Sequence, residues 1–210
     1  MRIRVLFHKT QAMRFTGHLD LFKTWERTLR RAGLPLAYSQ GFHPQPRLNL
    51  ACALPLGFTS ECELVDVWLE SDQTVAAIQA AIEPALPPGI RVISLTAVEA
   101  RNPSLQNQVQ AAEYRVTLLE PTTDLDLHLA EITRAETLPR QRRGKAYDLR
   151  PLIFTIERLA DTLEGLARLD LLLAAREGAT GRPEEVVLAL GMDPTAARYH
   201  RTRLILSAEH

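Results

Sequence analysis

Cysteine is scarce: only Cys52 and Cys62 occur in a chain of 210 residues. Two thiols cannot build a four-thiolate zinc site. Without a three-cysteine cluster motif they cannot hold a [4Fe–4S] centre either, so iron–sulfur chemistry would have to come from a partner. Both fall in neighbouring predicted strands and read as small buried thiols, kept reduced in a cytosolic setting. Long apolar runs are also missing. No stretch approaches the roughly 20 residues that span a bilayer, and the N-terminal MRIRVLFHKT is a charged strand pattern without the apolar core of a secretory signal. The sequence therefore points to a cytoplasmic protein with no membrane partner. It has no HExxH, GxSxG, P-loop or GxGxxG motif, and no recognisable spacing of metal ligands. Lysine is rare as well, with 3 residues against 22 arginines, and this favours planar two-point contacts to phosphate over point charges.

What remains is an ordinary globular composition, 46% hydrophobic and 24% charged, long enough for two domains of roughly 100 residues with a core each. A formal net charge of zero hides a polarised first half. Residues 1–50 hold nine Lys or Arg against two acids, a balance of +7, and residues 51–100 hold one against seven, a balance of −6. The place of the charge is more informative than its sum.

Hydrophobic periodicity predicts a strand over residues 2–9, with Ile3, Val5 and Phe7 on one face. A helix is predicted over 17–33, its apolar face carrying Leu19, Phe22, Trp25 or Glu26, Leu29 and Ala32, with Thr16 as its N-cap and Gly33 as its stop. Strands over 47–56 and 62–70, a helix over 74–86 and a strand over 90–98 complete one βαββαβ series. Residues 101–112 are polar and aperiodic and read as a linker. Over 113–210 the series repeats, with a strand at 113–119, a helix at 123–134, long strands at 145–159 and 165–175, a helix at 183–190 and a strand at 198–206. The predicted fold is α+β: two tandem ferredoxin-like modules, 1–100 and 113–210, each an antiparallel sheet with its helices on one face.

On the first helix Lys23, Arg27, Arg30 and Arg31 form a basic stripe that can follow phosphates along a strand. The loop YSQGFHPQPR comes next. Pro44 and Pro46 stiffen it, Gly41 lets it turn, and Tyr38, Phe42, His43 and Arg47 are presented with little freedom to lose on binding. An exposed Tyr38 or Phe42 can stack an unpaired base. Arg14 and His18 flank the helix start, where His18 can meet an anion. A second basic cluster, LPRQRRGKAYDLRP, supplies Arg140, Arg142, Arg143, Lys145 and Arg150, with Asp148 expected to pair with Arg150. The alternative is catalysis: His43 or His18, with Tyr38 or Lys9, would serve a metal-free endoribonuclease as base and cation.

The segments RFTGHLDLFKTWERTLRRAGLPLAYSQGFHPQPR, KAYDLRPLI and GRPEEVVLALG together resemble the uncharacterised radical-SAM-linked protein family, in which such a domain follows or accompanies a radical SAM enzyme. GHLDL and GFHPQPR are its most specific parts. The resemblance implies a radical SAM enzyme as partner and a role in presenting its substrate, with RNA or ribosome-related material as that substrate. It also places the [4Fe–4S] cluster and S-adenosylmethionine on the partner, with no cofactor in this chain. The tandem architecture is similar in fold to the CRISPR repeat-processing endoribonucleases, but the nearest counterpart of their C-terminal glycine-rich loop, GATGRPEE, matches it poorly. The sequence thus supports a non-catalytic RNA-binding or substrate-presenting accessory protein. Its alternatives are the endoribonuclease and a protein-interaction adaptor whose basic face meets an acidic partner. The acidic 61–72 segment complements the basic helix of another copy and so allows a homo-oligomer.

Overall fold

Ile3, Val5 and Phe7 are buried along β1 (Arg2–Lys9), as the alternation of the sequence requires. The computed structural model describes residues 1–207 apart from residues 100 and 143. The chain is α+β and divides into two units, one of Met1–Val109 with Ser207 and one of Gln110–Leu206. In the first unit β1 leads to α1 (His18–Arg31), β2 (Leu48–Leu50), β3 (Phe58–Trp68), α2 (Val75–Ile82) and β4 (Ile90–Val98). β3 and β4 each run antiparallel to β1, and β2 runs antiparallel to β3, so the order is β2-β3-β1-β4.

Leu21, Trp25 and Leu29 recur every four residues on α1 and are buried in one cluster with Ile3, Val5, Phe7, Val65 and Val67. The Trp25 ring meets Phe7 edge-on, with centroids 4.8 Å apart and planes at 68°. This face differs from the predicted one. Leu19 is 75% exposed and Phe22 only partly buried, because Leu21 and Trp25 take the inward positions. Gly17, not Thr16, is the N-cap residue, and it makes no side-chain cap bond. Gly33 follows the helix at φ 68°, in the left-handed region expected of a helix stop. Ile78 and Ile82 of α2 join the same cluster, and the Thr74 side chain accepts from Ala77 N to cap that helix.

The other face of β1 carries charge. Arg2 Nε and Nη2 donate to Asp66 Oδ2 at 3.0 and 2.5 Å, and Arg4 Nε donates to Asp66 Oδ1 at 2.9 Å. One carboxylate between two guanidiniums leaves a positive excess. Arg2 meets it by donating also to the carbonyls of Asn102 and Pro103, at 2.7 and 2.9 Å. These bonds pin a stretch that the sequence reads as linker, and α3 (Leu105–Gln108) follows it with Leu105 and Gln108 buried. Leu105 and Gln108 thus turn inward from a segment whose composition is polar.

The second unit holds β5 (Val109–Leu118), α4 (Leu125–Arg134), β6 (Pro139–Arg142), β7 (Lys145–Asp148), β8 (Ile153–Leu159), β9 (Arg168–Arg176), β10 (Ala179–Thr180), α5 (Pro183–Ala189) and β11 (Ala197–Leu206). Its main order is β8-β9-β5-β11, with β10 also on β9 and β6 paired with β7 as a separate hairpin. The long strand expected over 145–159 is broken, since a 3-10 turn at Arg150–Leu152, with Pro151 in it, parts β7 from β8. The strand expected over 47–56 shortens to β2. Among the described residues no helix is long and apolar enough to cross a membrane.

Asp66→Ala leaves two guanidiniums, one of them buried, without their carboxylate and should lower unfolding stability by about 3–5 kcal/mol in urea titration. Arg4→Met, which keeps the Arg2 bonds, should cost clearly less. Equal losses would contradict this ranking.

Candidate nucleic-acid interface

The loop after α1 is closed at its neck. Ser39 N donates to Gln45 O at 2.8 Å, Gln45 N donates to Ser39 Oγ at 3.0 Å, and Tyr38 faces Pro46 in an isolated bridge. Gly41 turns the tip at φ 129°, a conformation that a side chain would disfavour. Phe42 stands at that tip with 102% of its surface exposed, and His43 beside it is exposed and makes no hydrogen bond or ion pair with the described residues. The proline-stiffened loop thus holds a ring in water rather than folding it under.

Because Leu21, Trp25 and Leu29 face inward, Lys23, Arg27 and Arg30 face out. Spaced at i, i+4 and i+7, they form one exposed stripe about two turns long. Lys23 and Arg27 have no ion-pair partner among the described residues. Arg30 pairs with Glu26 at 2.9 Å, and its guanidinium lies 5.8 Å from the centre of the Tyr38 ring, which joins the stripe to the loop. Arg31 is spent differently: it donates to Ala85 O and ties α1 to the turn after α2. Arg47 is exposed, and its guanidinium lies 5.0 Å from the Trp68 ring centre, with Arg2 4.9 Å from the same ring. Trp68 is a site residue that the sequence reading missed. Its position one step from Asp66 on the alternation of β3 is the only trace of it.

Arg14 and His18 are half-buried at the far end of α1, where His18 lies about 18 Å from Arg30 along the axis. The Arg14 guanidinium covers the exposed Phe15 ring at 4.5 Å, and His18 is the first residue of the helix. They belong to the start of the helix rather than to the loop. No hydrogen bond links His43, His18 and Tyr38. Lys9 is buried, donating to Phe58 O at 3.0 Å and Arg14 O at 3.3 Å, so it is not presented as a cation to substrate. The constellation for metal-free cleavage is therefore not assembled by these contacts. Among the described residues no group of three His, Cys, Asp or Glu could hold a metal ion.

In the second unit Arg142, Lys145 and Tyr147 of the β6–β7 hairpin line a cleft of about 680 Å³. Arg143 lies outside the described residues. Arg150 is a strut, since its guanidinium donates to Ala135 O at 3.1 Å, Thr133 O at 3.2 Å and Ile153 O at 3.0 Å. Two of these carbonyls belong to the C-terminal turn of α4, where a cation meets both orphan acceptors and the helix dipole. Asp148 does not pair with that guanidinium. Its Oδ1 accepts from Arg150 N at 2.9 Å and Leu138 N at 2.7 Å instead, which fixes the base of the hairpin.

A family model described as "Uncharacterized protein conserved in bacteria (DUF2344)" matches residues 2–183. No curated protein matches the chain. Among solved structures, a chain in the crystal structure of a Cbf5–Nop10–Gar1 complex is similar with a TM-score of 0.50 at 12% identity, over 96% of this chain and 48% of that one. A chain in the archaeal box H/ACA sRNP Nop10–Cbf5 complex gives 0.48 at 12% identity, over 97% of this chain and 48% of that one. This protein thus spans about half the length of the solved chains it matches, and the first likeness is one of fold.

Arg150→Ala should lower unfolding stability by about 1–3 kcal/mol through the unmet carbonyls while leaving the affinity for RNA unchanged. A selective loss of RNA affinity without a stability change would return Arg150 to the binding surface.

Proposed function

The chain belongs to the DUF2344 family of uncharacterised proteins conserved in bacteria, and we propose its function from the surface it presents. It is a non-catalytic RNA-binding or substrate-presenting protein of the cytoplasm. It acts with a separate radical SAM enzyme in RNA modification or ribosome-related metabolism. The observation that carries the RNA reading is the open surface of the first unit, where the uncompensated Lys23 and Arg27 line the outer face of α1 with Arg30, and Arg30 joins that face to Tyr38 and to the loop that bears the exposed Phe42 and His43. Cations spaced along a helix track a phosphate backbone, and a bare ring at a rigid tip offers a stacking platform for an unpaired base. The ligand is single-stranded, because a base inside a duplex keeps its faces stacked.

The partnership with a radical SAM enzyme rests on the GHLDL and GFHPQPR resemblance alone. On that reading the [4Fe–4S] cluster and S-adenosylmethionine stay on the partner. We also read each unit as a ferredoxin-like module. The orders β2-β3-β1-β4 and β8-β9-β5-β11 support this, being the same arrangement in both units.

Binding of a labelled single-stranded RNA, followed by anisotropy across a salt series, tests the surface. Lys23→Glu with Arg27→Glu should flatten the log–log salt slope by about 1.4, at about 0.7 for each lost single-strand contact. Phe42→Ala should weaken binding by about 1–3 kcal/mol with little change of slope. A slope unaltered by the double reversal would refute the RNA reading.

A further inference from the structure

The cleft beside the β6–β7 hairpin has a composition that the RNA surface of the first unit lacks. Its lining includes Arg142, half-buried, and Lys145, exposed, and neither has an ion-pair partner among the described residues. Tyr147, Leu152 and Ala179, a ring and two aliphatic groups, line it as well, with Asp148. A cleft of about 680 Å³ is within the size that holds a small organic ligand, roughly 300–1,000 Å³. Among the described residues β10 stands at the edge of its sheet, and Ala179 and Thr180 of this edge strand line the cleft.

The case for an anion rests on the two cations that line the cleft, Arg142 and Lys145. Burial raises the pKa of the Tyr147 phenol and Glu185 raises it further, while Arg140, Arg142 and Arg182 act the other way. The Nε of Arg182 is buried and has no hydrogen-bond partner among the described residues. Acids stand nearby as well. Asp148 Oδ1 already accepts two backbone N–H groups, Glu185 lies 3.9 Å from Arg140, and burial raises the pKa of Glu184.

We infer that this cleft is a binding site for a nucleoside phosphate, with the phosphate held by Arg142 and Lys145 and the base lying against Tyr147, Leu152 and Ala179. A bare phosphate would leave the apolar wall unused, and an uncharged ring would leave the two cations unused. The inference goes beyond the RNA reading and does not depend on it. The nucleotide can be free in solution or be the phosphorylated end of a strand, since the chemistry of recognition is the same.

Equilibrium dialysis of the full chain against the four common nucleoside 5′-monophosphates, inorganic phosphate and adenosine tests it. At least one monophosphate should bind saturably, tenfold or more tighter than either phosphate or adenosine. Arg142→Ala with Lys145→Ala should weaken that binding at least tenfold. Lys145→Gln, on the exposed end of the hairpin, should weaken it severalfold even if the double variant folds poorly. Competition by a 5′-phosphorylated oligonucleotide, but not by its 5′-hydroxyl counterpart, would identify a strand end as the source, and absence of competition would identify the free mononucleotide. The Lys23→Glu, Arg27→Glu protein should bind the monophosphate as the wild type does, which separates this site from the surface of the first unit. The inference fails if phosphate binds as tightly as every monophosphate, or if folded Lys145→Gln and double-variant proteins bind the monophosphate unchanged.

Discussion

The seating of α1 on β1 is the constraint from which the candidate surface follows. Trp25 is wholly buried against Phe7, and Leu21 and Leu29 sit one turn to either side of it. Rotating the helix by a single residue position, about 100°, would drag this face into water and turn charged residues inward, at a cost of several kcal/mol in lost burial alone. The outward direction of Lys23, Arg27 and Arg30 is therefore fixed by core packing and needs no contact of its own. The loop that follows inherits this placement, since Arg30 lies over Tyr38 and the neck bonds at Ser39 and Gln45 close directly beyond it.

A second device fixes the opposite face of the same sheet. Asp66 is shared by Arg2 and Arg4, and the spare donors of Arg2 take up the carbonyls at 102 and 103. Trp68, two positions on from Asp66, has Arg2 and Arg47 near its ring. The buried ion cluster and the exposed Arg47 thus meet at one indole.

Much of this was legible in the sequence, for identifiable reasons. Strands with clean alternation, such as β1, and the amphipathic helix over 18–31 announce themselves through periodicity. The glycine and two prolines of GFHPQPR mark a rigid loop with an exposed ring. Less legible was whatever depends on distant partners. Leu19 looks like a core residue by spacing, yet the slot is filled by Leu21 and Trp25, a choice made by the shape of the sheet below. The difference between Arg27 and Arg31 lies in whether a carbonyl happens to stand within reach, as Ala85 O does for Arg31. Arg150 reads as part of a basic cluster, and only the position of the α4 terminus makes it a helix cap. Residues 102–108 look like a linker because their anchors, Arg2 and the inward Leu105, are invisible to local composition.

The central claim is that the loop tip and the outer face of α1 form one surface for single-stranded RNA. Ultraviolet crosslinking of the purified full chain to a uridine-rich single strand, with the attached peptides identified by mass spectrometry, tests it most directly. Adducts should concentrate on Phe42 and its neighbours in the loop, and should disappear when unlabelled single strand competes but persist when duplex does. Adducts absent from the loop, or spread evenly over both units, would contradict the account.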